Sequence, residues 1–173
     1  MSEIESLDPR DVWHFFHEIT QVPRPSKREE KIIAYLTDFA RSRNLEYRKD
    51  STGNVVIRKA ASPGMENRPA VILQSHMDMV CEKNGDVNFN FETDTRIEEG
   101  WVKATGTTLG ADCGIGMAAA LAVLNADDVP HGPLECLFTV DEETGLTGAF
   151  GLGEGMLTGK YLINLDSEDE GEI

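Results

Sequence analysis

The stretch VILQSHMDMV at positions 71–80 determines how the rest of this sequence is interpreted. Its first three residues are apolar and rich in β-branched side chains, which is typical of a buried strand. The pattern then breaks, because His76 and Asp78 follow two positions apart before the apolar character resumes. Taken alone, an imidazole and a carboxylate at the end of a strand are most simply a polar pair, so their interpretation depends on which residues end the other strands.

Helix and strand patterns alternate along the chain on both sides of this strand. A first helix is predicted to start at Asp8-Pro9, and a second to start at a capping box formed by Ser26 and Glu29 and to end near Asn44. A third, buried helix is predicted from the run MAAALAVLNA (117–126). Strand-like apolar runs are NVVIRK (54–59), WVKA (101–104), LECLFTV (134–140) and YLINL (161–165), the last two predicted in the core. Residues 82–100 are polar and predicted to be irregular. This alternation predicts an α/β domain with a mixed, largely parallel central sheet flanked by helices.

The composition limits the possible functions. The 173 residues, 40% of them hydrophobic, suffice for one domain with its own core. A net charge of −15 disfavours nucleic acid and anionic membranes as partners. The acidic start, MSEIESLDPR, is unlike a secretory signal and no apolar run is long enough for a bilayer, so a cytoplasmic location is expected. The cysteines are scattered without a CxxC pair and are predicted to be buried free thiols: Cys81, Cys113 and Cys136.

Candidate metal ligands follow three predicted core strands. His76 and Asp78 end the first, the acidic run 141–143 ends the second, and Asp166 ends the third. The carboxyl ends of parallel strands meet at one edge of a sheet, so these groups are expected to meet in space. Asp112 joins them from the glycine-rich segment before the buried helix, whose amino terminus favours a negative charge.

Crowded carboxylates beside an imidazole predict a bound cation, because without one they would repel each other. This donor set lacks thiolate and suits zinc, with manganese and cobalt as alternatives. Asp112 is the best candidate to bridge two metal ions, and Asp78 could orient the ring of His76. Of the adjacent Glu142 and Glu143, one could bind metal while the other acts as general base.

Other patterns in the sequence are weaker. Asp141 is predicted to be a solvated surface charge. Gly114, Gly116 and Ala119 match a dinucleotide fingerprint, with Glu135 at a suitable distance for a ribose contact. No strand immediately precedes these glycines, and Asp112 would repel a pyrophosphate, so this alternative is disfavoured.

Four segments together resemble the dinuclear zinc exopeptidases and deacylases, and among these the bacterial Xaa-His (aminoacyl-histidine) dipeptidases. The segments are LQSHMDMVCEKN (73–84), WVKATGTTLGADCGIGMAAALAVL (101–124), HGPLECLFTVDEETGLTGAFGL (131–152) and LINLDSEDEGEI (162–173). The resemblance covers essentially the whole chain, most clearly from PRPS (23–26) onward. It implies a zinc-exopeptidase-like catalytic domain that hydrolyses small dipeptides such as Xaa-His in the cytoplasm, without nucleic acid or membrane partners.

The resemblance also implies a role for each candidate site residue. The metal ligands would be His76 and Asp166 on one ion, Glu143 on the other, and Asp112 between the two. Asp78 would steer the ring of His76, Glu142 would be the general base, and the Asp112–Cys113 peptide bond would be cis.

The family is longer than this chain. Residues 1–173 are therefore expected to be the amino-terminal portion of the catalytic domain, without the lid or dimerisation domain and the remaining catalytic segment. That later segment supplies a further histidine ligand in the family, and the full-length protein is expected to be a homodimer. Alternatives left open are another zinc aminopeptidase, an N-acyl-amino-acid deacylase, or a non-catalytic metal-binding module.

Overall fold

The computed structural model describes residues 2–87 and 94–167. The helices are α1 (Arg10–Thr20), α2 (Glu30–Ser42), α3 (Ala111–Asn125) and the short α4 (Thr147–Phe150), with a 3-10 turn at Glu3–Ser6. The strands are β1 (Glu46–Lys49), β2 (Val55–Lys59), β3 (Val71–His76), β4 (Thr95–Glu98), β5 (Trp101–Ala104), β6 (Leu134–Thr139) and β7 (Tyr161–Asn164). In the described part of the chain, no helix is long and apolar enough to cross a membrane.

Among the described residues, the central sheet has five strands in the order β1-β2-β6-β3-β7. Strands β6, β3 and β7 run parallel, whereas β1 and β2 pair antiparallel with their neighbours. The predicted mixed α/β architecture is confirmed. Because the three parallel strands share one direction, their carboxyl ends lie at the same edge of the sheet, which we call the carboxyl edge.

The main core lies between one face of this sheet and helices α1, α2 and α3. Its sheet residues alternate along the strands, as the period of a β-strand requires, with Val55 and Ile57 from β2 and Cys136 and Phe138 from β6. The intervening residues face the other way, where Leu137 packs with Met156 in a smaller cluster. Helix α3 is buried on several sides, as its run of small and apolar residues predicts.

Several local predictions need correction. Strands β1 and β4 lack an apolar run and were not predicted. Strand β4 lies within residues 82–100, which were expected to be irregular. Residues 88–93 of that segment lie outside the described residues. Strand β7 was predicted in the core, but within the described residues it pairs only with β3, and its Tyr161 and Leu162 are exposed. Strands β2, β3, β5 and β6 lie where apolar runs predicted them.

The predicted capping box at Ser26 and Glu29 is wrong. Helix α2 begins at Glu30, and its amino terminus has no side-chain cap. The Ser26 hydroxyl donates to Asp78 instead, and Glu29 accepts from the backbone of Lys27. At the first helix the cap also differs, because Pro9 occupies the N-cap position and Asp8 makes no capping hydrogen bond.

Glu135 has a structural role that excludes the ribose contact considered from the sequence. Its carboxylate is buried and accepts from Arg58 Nε at 2.8 Å. It also accepts from the backbone N–H groups of Thr158 at 2.8 Å and Gly159 at 2.7 Å. These contacts tie the start of β6 to β2 and to the segment before β7.

Replacing Glu135 with Gln should lower the free energy of unfolding at pH 7 by about 2–4 kcal/mol. Breaking a buried ion pair typically costs ~3–5 kcal/mol. The expected loss is smaller because Arg58 still donates to Glu46 and to the Met156 carbonyl oxygen. Burial raises the pKa of Glu135, but the N–H donors and Arg58 outweigh it and hold that pKa below its ordinary value. The contribution is therefore present above the unfolded pKa of about 4.3 and is lost as pH falls through the folded pKa.

Urea unfolding at pH 7 and at pH 3 measures this effect. The destabilisation by Glu135→Gln should shrink at the lower pH, while the exposed control Glu154→Gln should change little at either. Equal destabilisation at both pH values would contradict a charge-dependent role.

Candidate metal centre

The carboxyl edge brings together the side chains that the sequence predicted to meet. His76 is the last residue of β3 and is fully buried. Glu142 and Glu143 follow the end of β6, and Asp166 is the second residue after the end of β7. Asp112 reaches the same place from the start of α3, where its φ and ψ of −82° and 118° are not helical.

The imidazole of His76 lies at the centre of this cluster. Its Nε2 is 2.9 Å from Asp112 Oδ1, 3.8 Å from Asp166 Oδ1 and 4.0 Å from Glu142 Oε2. Its Nδ1 faces the other way, 3.1 Å from the Asp78 carbonyl oxygen and 3.3 Å from the Asp78 carboxylate. Two acceptors at Nδ1 favour a proton there, so Nε2, which faces the carboxylates, is the ring nitrogen that would take up a further proton or a metal ion.

Two groups of possible ligand atoms share His76. In one, donor atoms of His76, Asp112 and Glu143 lie within 4.8 Å of one another. In the other, His76, Cys113 and Asp166 meet the same limit. Burial raises the pKa of the Cys113 thiol to about 12, and the thiol donates to the carbonyl oxygen of Leu165 at 3.5 Å.

The electrostatics of the cluster favour a cation. Burial raises the pKa values of Glu142, Glu143 and Asp166, and neighbouring carboxylates raise them further. Burial opposes a charged His76, but hydrogen bonds to Asp78 and Asp112 outweigh it and raise the pKa of His76 to about 9. The carboxylates thus stabilise positive charge at Nε2, whether a proton or a metal ion supplies it. An imidazole with carboxylate oxygens is a donor set that fits zinc and its neighbours.

Asp78 connects the end of β3 to the loop after β6. Its carboxylate accepts the backbone N–H groups of Glu142 at 3.1 Å and Glu143 at 3.3 Å, and the Ser26 hydroxyl at 2.8 Å. Burial raises its pKa, but these donors and His76 outweigh burial and hold the pKa below its ordinary value. Asp78 therefore stays ionised beside His76 and also fixes the backbone that carries both glutamates.

The prediction that Asp141 is a solvated surface charge is wrong. Its side chain is buried and accepts hydrogen bonds from the hydroxyls of Thr144 at 2.6 Å and Thr147 at 2.5 Å. Its backbone N–H donates to Glu29 Oε1 at 3.0 Å. Asp141 has a positive φ of 49° at this turn, so its contacts shape the backbone immediately before Glu142.

Three residues near the centre were not predicted as functional, and all lie in RPSKRE (24–29). Ser26 and Glu29 contact Asp78 and Asp141, and Arg24 is buried among the backbone carbonyls behind His76. The available signal was an arginine between two prolines, followed by a glutamate. The spacing of Ser26 and Glu29 was interpreted as a helix cap instead.

The remaining predictions at the site concern the backbone and the other histidines. The Asp112–Cys113 bond is cis, as the family resemblance implied. His14 contacts Glu5 near the amino terminus, and His131 bonds to Gly132 before β6, at the opposite edge of the sheet. Among the described residues, His76 is the only histidine within a ligand cluster.

The mixed α/β fold thus carries a candidate metal centre, with one imidazole and several carboxylates at its carboxyl edge. Residues 72–170 match the family described as Peptidase family M20/M25/M40, and the chain belongs to that family.

Three of the proteins that this chain resembles are named as peptidases. The chain is 50% identical to the cytosol non-specific dipeptidase of Escherichia coli, over all of this chain and 36% of that protein. Aminoacylhistidine dipeptidase from Vibrio alginolyticus superposes with a TM-score of 0.94 at 51% identity, covering 98% of this chain and 35% of that one. Aminopeptidase PepT from Bacillus cereus superposes at 0.76 with 30% identity, covering 94% of this chain and 44% of that one. The chain thus spans about a third of the length of its two more similar relatives.

Proposed function

We propose that this chain is the amino-terminal portion of the catalytic domain of a dinuclear metal-dependent dipeptidase. The observation that carries the proposal is the convergence of His76, Asp112, Glu143 and Asp166 at the carboxyl edge, with Glu142 beside them. The two relatives named as dipeptidases support the reaction class.

Each side chain has a proposed role. His76 and Asp166 would hold one ion, Glu143 the other, and Asp112 would contact both. Bound divalent ions, zinc first with cobalt and manganese as alternatives, would polarise the scissile carbonyl and acidify a water molecule. Glu142 would take the proton of the attacking water and return it to the departing amine, a task that its raised pKa suits.

Asp78 acts through other residues in this proposal. Because it accepts from His76 Nδ1 and from the backbone of Glu142 and Glu143, it would orient one ligand and place the general base. This role requires the ionised carboxylate that the surrounding donors favour.

The finer assignments rest on the relatives. Dipeptides are the proposed substrate class, because both relatives are named as dipeptidases. Xaa-His dipeptides are the proposed preferred substrates, because one of these relatives is named as an aminoacylhistidine dipeptidase. The remaining segment of the proposed full-length protein would supply a lid or dimerisation domain and a histidine for the second ion. A cytoplasmic homodimer is proposed for that protein.

A dipeptide panel with the purified full-length protein tests the function. Metal-dependent hydrolysis should include β-alanyl-histidine and be lost with a chelator and restored by zinc. Faster turnover of N-acyl amino acids would favour the deacylase alternative. Bound metal without turnover of any substrate would favour a non-catalytic module.

The 173-residue chain alone should hydrolyse none of these dipeptides. The reason is that the described residues offer a single histidine to the cluster, so one ion lacks part of its ligand set. The assay uses the chain and the full-length protein at equal concentration with added zinc. Zinc-dependent turnover by the short chain would contradict this prediction.

A further inference from the structure

We propose that Arg24 is a positioning residue of the metal centre, whose guanidinium sets the spacing between the segment that carries His76 and the segment that carries Asp112. The inference rests on the proposed function, because it takes these two side chains to be metal ligands. Arg24 itself would touch neither metal nor substrate.

The guanidinium joins two segments that are distant in sequence. Its Nη1 donates to the carbonyl oxygens of Asp78 at 2.9 Å and Met77 at 3.2 Å, directly after β3. Its Nη2 donates to the carbonyl oxygen of Gly110 at 2.5 Å, two residues before Asp112. One rigid planar group therefore connects the backbone on both sides of the His76–Asp112 contact.

His76 depends on the same carbonyl group that Arg24 holds. The Asp78 carbonyl oxygen accepts from Arg24 Nη1 and also lies 3.1 Å from His76 Nδ1. The backbone of Arg24 adds a further contact, since its carbonyl oxygen accepts from Met79 N at 3.0 Å. A displacement of Arg24 would therefore move an acceptor that orients the imidazole.

The segment around Asp112 leaves room for this guanidinium. A Cβ atom at Gly114 would lie 2.7 Å from Arg24 Nη2, and one at Gly110 would lie 2.5 Å from it. Gly110 also has a φ of 71°, which disfavours any other residue. Two glycines on either side of Asp112 thus make space for one arginine head group.

Lysine could not replace this arginine. Arg24 is 1% exposed, and its Nη atoms donate to two segments at once in a fixed plane. A lysine ammonium is a compact group on a flexible stem and would reach only one of the two segments. Burial lowers the pKa of Arg24 to about 10, at which the guanidinium still stays charged at neutral pH.

The test measures Co²⁺ binding to the full-length protein and to its Arg24→Lys variant. Chelator competition should show affinity lower by roughly 10–100-fold, the usual effect of losing a residue that orients metal ligands. The visible absorption of bound Co²⁺ should also change, because ligand geometry changes. Loss of packing elsewhere would not alter that spectrum.

Arg58→Lys is the matched control. Arg58 also connects distant segments, through Glu135 and the Met156 carbonyl, but at the opposite edge of the sheet. It should lower thermal stability and leave Co²⁺ affinity and absorption unchanged. If folded Arg24→Lys protein binds Co²⁺ as the wild type does, the proposal is overturned.

If the Arg24→Lys variant does not fold, the Gly114→Ala variant tests the positioning role of Arg24. Its new methyl group would press on Nη2, so the Co²⁺ affinity and spectrum should shift in the same direction. In a double variant that folds, the two effects should be less than additive, because both act through one head group. Unchanged Co²⁺ binding by Gly114→Ala would overturn the proposal.

The proposed function fails separately. A wild-type protein that binds Co²⁺ but cleaves no dipeptide would refute the dipeptidase assignment. The role of Arg24 would still be tested by the Co²⁺ affinity and absorption of the variants.

Discussion

Glu142→Ala in the full-length protein is expected to lose dipeptide turnover, with kcat lower by roughly 10³–10⁴-fold, the upper part of the range for a general base. Glu142 Oε2 lies 4.0 Å from His76 Nε2, so its carboxylate borders the ligand cluster, and burial raises its pKa toward values suited to proton transfer. The metal content should stay at the wild-type value, because the proposed ligands are other side chains. Steady-state kinetics and elemental analysis of the same preparation measure both quantities.

Glu154→Ala is the control for this variant, since Glu154 is an exposed glutamate farther along the same chain segment. It should keep wild-type kcat and metal content. Wild-type activity of Glu142→Ala would end the general-base assignment. Loss of metal together with activity would make Glu142 a ligand instead.

Asp112→Asn is expected to have the largest effect on metal content. The proposed bridging role needs two anionic oxygens, and an amide supplies only one neutral oxygen of the same reach. Bound zinc should fall from two ions to fewer than one per chain, and turnover should become undetectable.

Asp127→Asn removes an equal charge from the exposed loop after α3 and provides the comparison. It should retain two zinc ions and full activity, which separates a ligand effect from the effect of net charge. Two zinc ions in dialysed Asp112→Asn protein would contradict the bridging role.

The strands differ in how well the sequence predicts them. Strands β2, β3 and β6 were predictable because burial on both faces of a sheet requires unbroken apolar runs. Strand β1 reads EYRK and is mostly exposed, so its pairing with β2 leaves no hydrophobic pattern. Strand β7 has an apolar sequence, yet in the part of the chain that the structure describes it pairs with β3 alone, which the pattern could not indicate.

The sequence by itself indicated the candidate ligand residues and their positions after the apolar strands, because side-chain chemistry and strand periodicity are local properties. Only the tertiary structure decided how those ligands are held. Arg24, Ser26 and Glu29 were assigned to a turn and a helix cap, yet they bond to residues 52 to 112 positions away. Asp141, adjacent to Glu142, was assigned to solvent and is buried. The physical reason is that a hydrogen bond between distant segments leaves no periodicity in either one, so its partners are defined only when the chain has folded.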